Sequence, residues 1–390
     1  MSKSTIKNTN AESRNGWEMS ANLLKHPITS KVIAILMGFI VAAIVMVISG
    51  FSPIDCFAAL FRGIFSKPKY MANVIIKATP ILLTSLSIAF AFKVGLFNIG
   101  AEGQYIVGTI AATIVGILCD FPAMIQIPIV ILAGIAAGAI WGGFVGFLKS
   151  KFGINEVITS IMFNWIAFYL CNYVVNTNRF HQPNSTGTYP VNESSFTTIL
   201  GNWKMSEEGL AYFREHPVLS EIILKTDANV GILIAVLVAI AIAFVLKKTT
   251  KGYELRAVGF NQYAAEFAGI SVKKNIIHAM LIAGAISGLA GALTITGIAP
   301  HRISTLGSFE NFGFNGMAVA LIAGSNPIGC IFAALLYAGL SYGGATVQSE
   351  VGAPSEVINI MLGTIVFCIA LTSIMPIIAD KISKRGKKNV

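Results

Sequence analysis

Charge is scarce in this 390-residue chain: Asp, Glu, Lys and Arg make up only 12% of it, about half of what a soluble globular domain carries. That deficit argues against an ordinary water-soluble fold. Clustered chemistry is also missing. The five cysteines, Cys56, Cys119, Cys171, Cys330 and Cys368, are scattered without a CxxC pair; they read as small apolar packing residues rather than as a disulfide or metal framework. No GxxxxGK[ST], HExxH or GxSxG motif occurs, and the five histidines (His26, His181, His216, His278, His301) are dispersed. The chain is therefore expected not to be an enzyme, to hold no metal and no cofactor of its own, and to be unable to hydrolyse a nucleotide alone.

What is abundant is apolar sequence, 55% of the residues with a mean hydropathy of +0.72. A helix needs about 20 mostly apolar residues to cross a bilayer, because no backbone group can be left unpaired in hydrocarbon. Nine segments qualify: Val32–Gly50, Ile75–Phe92, Gln104–Cys119, Ile125–Leu148, Val157–Val175, Val230–Leu246, Ile276–Ile298, Pro327–Ser341 and Val357–Ile378. One membrane domain, residues 31–378, is the economical reading.

The net charge of +10 could suggest nucleic acid, but the basic residues sit in short clusters between apolar runs. That pattern is topological. Lys3, Lys7, Arg14, Lys25 and Lys31 mark a polar N-terminal tail (1–30), with an interfacial turn expected near Trp17–Leu24. Lys247, Lys248, Lys251, Arg256, Lys273 and Lys274 mark a loop (247–275), and Lys381, Lys384, Arg385, Lys387 and Lys388 a C-terminal tail (379–390). All three are expected inside the cell, so the chain must cross an even number of times. The apolar but short Phe314–Gly324 supplies the tenth crossing as a half-segment packed inside protein. The fold expected is all-α and polytopic, about ten transmembrane helices with short or re-entrant segments. The one substantial external element is the loop Asn176–Asn229, expected to carry short helices near the membrane surface and to act either as a docking platform or as a solvated cap.

Polar groups at membrane depth are costly and each is a candidate site residue. Two clusters stand out. Phe97, Asn98, Glu102 and Gln104 lie in FNIGAEGQ, which joins two apolar runs; they either line a substrate path or satisfy one another in a helix-breaking turn. Glu156, Ser160 and Asn164 share a face at the start of the fifth crossing. There Asn155 reads as an N-cap, and the stripe faces either other helices or the pathway. FNIGAEGQYIVG (97–108) and FGFNGMAVALIAG (312–324), the latter containing Asn315, share a Phe, Gly and Asn opening and run in opposite directions, the pattern of inverted repeats in transporters. Spaced small residues, such as Gly134, Gly138 and Gly142 or Gly284, Gly288 and Gly291, read as helix-packing positions.

The loop 247–275 carries GYELRAVGFNQYAAEFAGI (252–270), expected to form a short amphipathic helix capped at Asn261 and stopped at Gly269. This stretch resembles the cytoplasmic coupling segment of bacterial ABC importer permeases of the branched-chain amino acid, ribose and nucleoside type. LFNIGAEGQ (96–104) and NEVITSIMFN (155–164) are similar to further motifs of the nucleoside and simple-sugar branch. The resemblance implies a permease subunit in the bacterial cytoplasmic membrane, with both termini cytoplasmic, forming a translocation path for nucleosides by alternating access. It implies as partners an ATP-hydrolysing subunit holding ATP and Mg, a second permease of different sequence, an extracytoplasmic lipoprotein or periplasmic binding protein, and membrane lipid, with no nucleic acid. Arg256, Asn261, Ala264, Ala265, Glu266 and Gly269 are the residues it assigns to ATPase coupling. Ribose- or galactose-type sugars are the alternative cargo. An ion-coupled secondary carrier, using Glu102 and Glu156 as ion sites, is the reading from another class, and a membrane enzyme a third.

Overall fold

The computed structural model describes residues 27–371 and residue 380. The turn expected at Trp17–Leu24 and nearly all of both basic tails fall outside these residues. Among those described, regular structure is helical, and the only β pairings are isolated bridges such as Gly187 with Ser304. Seven helices are long and apolar enough to cross a membrane, and three shorter apolar ones, Val32–Ile48, Phe312–Ile322 and Ser355–Cys368, bring the set into one-to-one register with the ten expected segments.

The chain divides into two compact units. In the first, α1 (Pro27–Ile48) packs on α14 (Ser355–Ala370). A Cβ on Gly38 would stand 3.0 Å from the Ile365 Cα, so the two backbones approach closely there. Phe39 meets Phe57 edge-on at 5.3 Å. Phe57 belongs to α2 (Pro53–Phe65), a helix the hydropathy count missed because 13 residues carrying Asp55 and Arg62 are too short and polar for a crossing.

The second unit, residues 62–342, is built around α3 (Pro68–Lys93), α4 (Ala101–Leu118), α5 (Ala123–Phe152) and α11 (Val272–Gly297). The sequence places α3 from Ile75, but Pro68 at its first turn starts the helix earlier. Glycine sets the closeness of α5 and α11: a Cβ on Gly138 would overlap the Gly284 carbonyl and lie 2.7 Å from the Gly288 Cα. On the other side, a Cβ on Gly108 of α4 would lie 2.6 Å from the same Gly288 Cα. Three helices thus share one glycine-lined seam, where dispersion contact between backbones replaces the hydrophobic drive absent in lipid.

Helix α6 (Glu156–Val175) follows a turn in which Gly153 adopts φ 70°, and Asn155 caps it by accepting a 2.8 Å hydrogen bond from the Val157 N–H. The segment 176–230 holds short turns of helix, the longest being α7 (Glu207–Glu215). It is tied to residues 296–305 by backbone bonds: Thr197 N–H donates to Thr296, Val191 to His301, and Thr188 to Ile303, all at 2.9–3.0 Å. Helix α8 (Gly231–Lys248) then leads to two helices rather than one, α9 (Thr250–Phe260) and α10 (Gln262–Phe267), broken where Asn261 turns to an extended backbone. Beyond α11, residues 298–311 form no helix until α12 (Phe312–Ile322) begins, and α13 (Pro327–Val351) follows.

Candidate functional site

The two segments whose sequences run alike, 97–108 and 312–324, meet in space. Both Glu102 carboxylate oxygens receive backbone donors from the start of α12, the Asn311 N–H at 2.8 Å and the Gly313 N–H at 2.6 Å. Glu102 is wholly buried and supplies, from another helix, the acceptor that a helix N-terminus needs. Thr84 of α3 donates to the Phe312 carbonyl at 2.8 Å, and Phe312 packs on Tyr105 with ring centroids 5.2 Å apart. A Cβ on Gly313 would run into the Glu102 backbone, which is why the α12 opening is glycine.

The remaining polar residues of the first cluster bond among themselves. Asn98 and Gln104 exchange side-chain hydrogen bonds at 3.0 and 3.1 Å. Asn98 also donates to Ser87, which donates in turn to the Ala283 carbonyl. Asn164 accepts from the Gly103 N–H at 2.8 Å and donates to the Ile99 carbonyl at 3.1 Å, clamping the FNIGAEG turn to α6. Ser160 is buried, with no hydrogen-bond partner for its hydroxyl among the described residues. Glu156 leaves its stripe to pair with Lys149, half-buried Asn315 accepts from Tyr337 at 2.7 Å, and half-buried Phe97 packs on Phe92.

A second group, which the sequence reading did not single out, lies beside this network. The irregular chain 306–311 descends along α6: Leu306 exchanges two hydrogen bonds with the Asn172 side chain, and Phe309 packs on Trp165 at 4.8 Å and Phe168 at 5.2 Å. Depth follows from helical rise. Trp165 stands nine residues from the start of α6 and ten from its end, about 14 Å from each. Thr84, which holds Phe312, stands about 14 Å from the Lys93 end of α3. Yet Gly307, Ser308, Glu310 and Asn311 are exposed on the surface of this chain, as are Trp165 and Tyr169. Irregular backbone and a carboxylate are not stable against hydrocarbon; at this depth they require water or a polar partner in front of them. Only the fold could reveal this group, because in sequence Glu310 sits in a polar stretch that reads as an outer loop.

Next to Glu310 a recess of about 160 Å³ opens, lined by Tyr105, Thr109, Thr294, Arg302 and Ser304 with several isoleucines. The Tyr105 hydroxyl, fully buried, lies within electrostatic reach of Glu310.

At the other end of the molecule α9 and α10 form a projecting element. Asn261 caps α10 by accepting from the Ala264 N–H at 3.1 Å, and Gly269 ends it at φ 81° with the Ile270 N–H returning to Ala265. Arg256, Ala264 and Glu266 are exposed, whereas Ala265 is buried against its own chain. The most open groups are aromatic ones absent from the sequence-based set: Phe260 (95% exposed), Tyr263 (86%) and Phe267 (97%). Lys251 hydrogen-bonds Glu254 and holds its carboxyl below the usual carboxylate range. The element touches the membrane helices at Gly259, where a Cβ would overlap the Lys93 carbonyl, directly before the FNIGAEG turn.

Residues 70–370 match the family described as branched-chain amino acid transport system, permease component. The chain belongs to this family. It is similar to the guanosine ABC transporter permease protein NupP of Bacillus subtilis, 39% identical over 354 residues that cover 91% of this chain and 96% of the relative. The nucleoside ABC transporter permease protein NupB of Lactococcus lactis is 34% identical over 90% of this chain and 92% of its own length. The glucose ABC transporter permease protein TsgB13 of Haloferax volcanii is 29% identical over 86% and 85%. No solved structure matches. The chain is thus a multi-pass membrane transport permease, and the early resemblance to this family holds.

Proposed function

We propose that this permease moves nucleosides inward across the bacterial cytoplasmic membrane, paired with a second, non-identical permease and driven by a partner ATPase that binds ATP and Mg. An extracytoplasmic binding protein delivers the solute to the side carrying loop 176–229. The observation that carries the reading is the exposed, hydrophilic stretch Gly307–Asn311 at mid-depth, which needs an aqueous path in front of it, in a chain whose similar relatives include permeases named for guanosine and nucleosides. Both termini and the 247–275 loop are cytoplasmic in this reading, supported by their basic residues.

In the mechanism, α10 seats in the ATPase and shifts with nucleotide binding. Its motion reaches the membrane through α9, whose Gly259 abuts the Lys93–Val94 backbone, and through the FNIGAEG turn to the Glu102-capped start of α12. The access path opens and closes at 306–311. Phe267→Ala is expected to lower nucleoside uptake at least tenfold while the permease still inserts at normal levels, since an exposed aromatic anchor is worth about 2 kcal/mol or more at such an interface. Glu266 or Gly269 substitutions are expected to abolish uptake in the same way. Full transport by all three variants would remove α10 from the coupling path.

The reading is tested by purifying the permease from its native membrane and measuring uptake of labelled guanosine, uridine, ribose and glucose in liposomes. Copurification of an ATPase and a second permease, with ATP-dependent nucleoside uptake, is expected. Uptake by this chain alone on an ion gradient would sink it, and a preference for glucose or ribose would replace the cargo.

A further inference from the structure

The mid-depth face combines two chemistries that ordinarily avoid lipid in different ways. Trp165 is 45% exposed and Tyr169 63% exposed, their rings stacked 6.1 Å apart, with Phe309 edge-on to Trp165. Amphipathic aromatics ordinarily collect at the two membrane interfaces, but Trp165 sits about 14 Å from either end of its helix. One residue beyond Phe309, the exposed Glu310 lines the same recess as Tyr105, whose buried hydroxyl lies within its electrostatic reach. Phe309 on Trp165 and Glu310 in the recess are neighbours in one irregular segment, so an aromatic face and a carboxylate come from adjacent residues and match a solute with a flat π-surface at one end and a pair of adjacent hydrogen-bond donors at the other. A carboxylate accepts two parallel donors, and stacking on an aromatic side chain tolerates any base.

We propose that Trp165 and Glu310 form the intramembrane stop for the solute in transit: the base stacks on Trp165, and the Glu310 carboxylate accepts a paired-donor edge, with Tyr105 and Ser304 lining the space beside it. The inference rests on the nucleoside reading and deepens it by naming the residues that select the cargo. Two edges of a nucleoside supply such donors, the cis 2′,3′-diol of ribose and the N1–H with the 2-amino group of guanine.

The test uses the whole transporter in liposomes, with labelled guanosine, adenosine and 2′,3′-dideoxyguanosine, for the wild type and for Glu310→Gln, Trp165→Phe and Trp165→Ala. Glu310→Gln is expected to raise the KM for guanosine at least tenfold, and Trp165→Ala to do the same where Trp165→Phe, which keeps a ring, does not. If the diol is the recognised edge, Glu310→Gln weakens guanosine and adenosine alike and the wild type carries the dideoxy compound poorly. If the base edge is recognised, guanosine alone suffers. A merely structural Glu310 would lower the maximal rate for every solute with KM unchanged, and that result overturns the proposal. So does wild-type behaviour of Glu310→Gln and Trp165→Ala while the wild type transports nucleosides. A wild-type transporter that carries no nucleoside would remove the underlying reading, and this proposal with it.

Discussion

Gly284→Leu is expected to abolish the folded permease. A Cβ at Gly284 would overlap the Gly138 carbonyl and come 3.1 Å from the Gly142 Cα, so the obstacle is backbone on the facing helix rather than a side chain that can rotate away. A leucine there must push α5 and α11 apart along a seam that α4 also shares through Gly108 and Gly288. Because lipid offers apolar side chains no gain from burial, the lost close packing has no compensation. The cost is expected at about 3–5 kcal/mol, the upper range for overpacking. Detergent-solubilised Gly284→Leu should elute as aggregate and leave little protein in the membrane fraction. Gly143→Leu is the control: on the same helix α5, its Cβ would meet only the Leu281 side chain, at 3.3 Å, and near-normal folding is expected.

Glu102→Ala is expected to destabilise the permease by about 3–5 kcal/mol, since it strips the acceptor from two backbone N–H groups at the start of α12, each bond to a charged partner being worth about 1.5–3 kcal/mol. The Glu102 side chain is wholly buried, and the Gly313 N–H that it serves is buried with it. Glu102→Gln keeps one acceptor oxygen and should cost roughly half as much. Thermal unfolding in detergent, followed by fluorescence, would give the order wild type, Gln, Ala. If Glu102→Ala instead unfolds like the wild type while uptake is lost, the residue belongs to the path and not to the support of α12. The ion-carrier alternative requires a carboxylate that can load and release an ion, and two short backbone bonds at a buried helix start leave Glu102 little freedom for that.

The membrane-crossing elements were legible because their signal is local: length, apolarity and basic flanks are properties of one segment at a time. The helix breaks of loop 247–275 were legible for the same reason, Asn261 and Gly269 being cap and stop residues that act on their own turns. Its exposed face was not. Phe260, Tyr263 and Phe267 stand exposed while Ala265 packs inward, a division that depends on how the element docks on its own chain. Helix α2 was missed because its apolar and charged residues average out over a crossing-length window.

The site residues divide in the same way. Sequence marked Asn98, Glu102, Gln104, Ser160 and Asn164 as polar groups placed at membrane depth, which is a statement about cost. Whether that cost is met by a solute or by the protein depends on which other groups come within about 3 Å, and the partners of Glu102 and Asn164 stand 209 and 61 residues away. By itself, then, the sequence determined that this chain lives in a bilayer, which segments are apolar enough to cross, and where a basic loop separates them. The tertiary structure alone placed Glu102 under the start of the short helix α12 and bound Asn164 to the FNIGAEG turn, and it alone left Glu310 and Trp165, inconspicuous in sequence, exposed on the surface of this chain. Hydropathy is a sum over neighbours in the chain, whereas satisfaction of a buried polar group is a contact between residues distant along it.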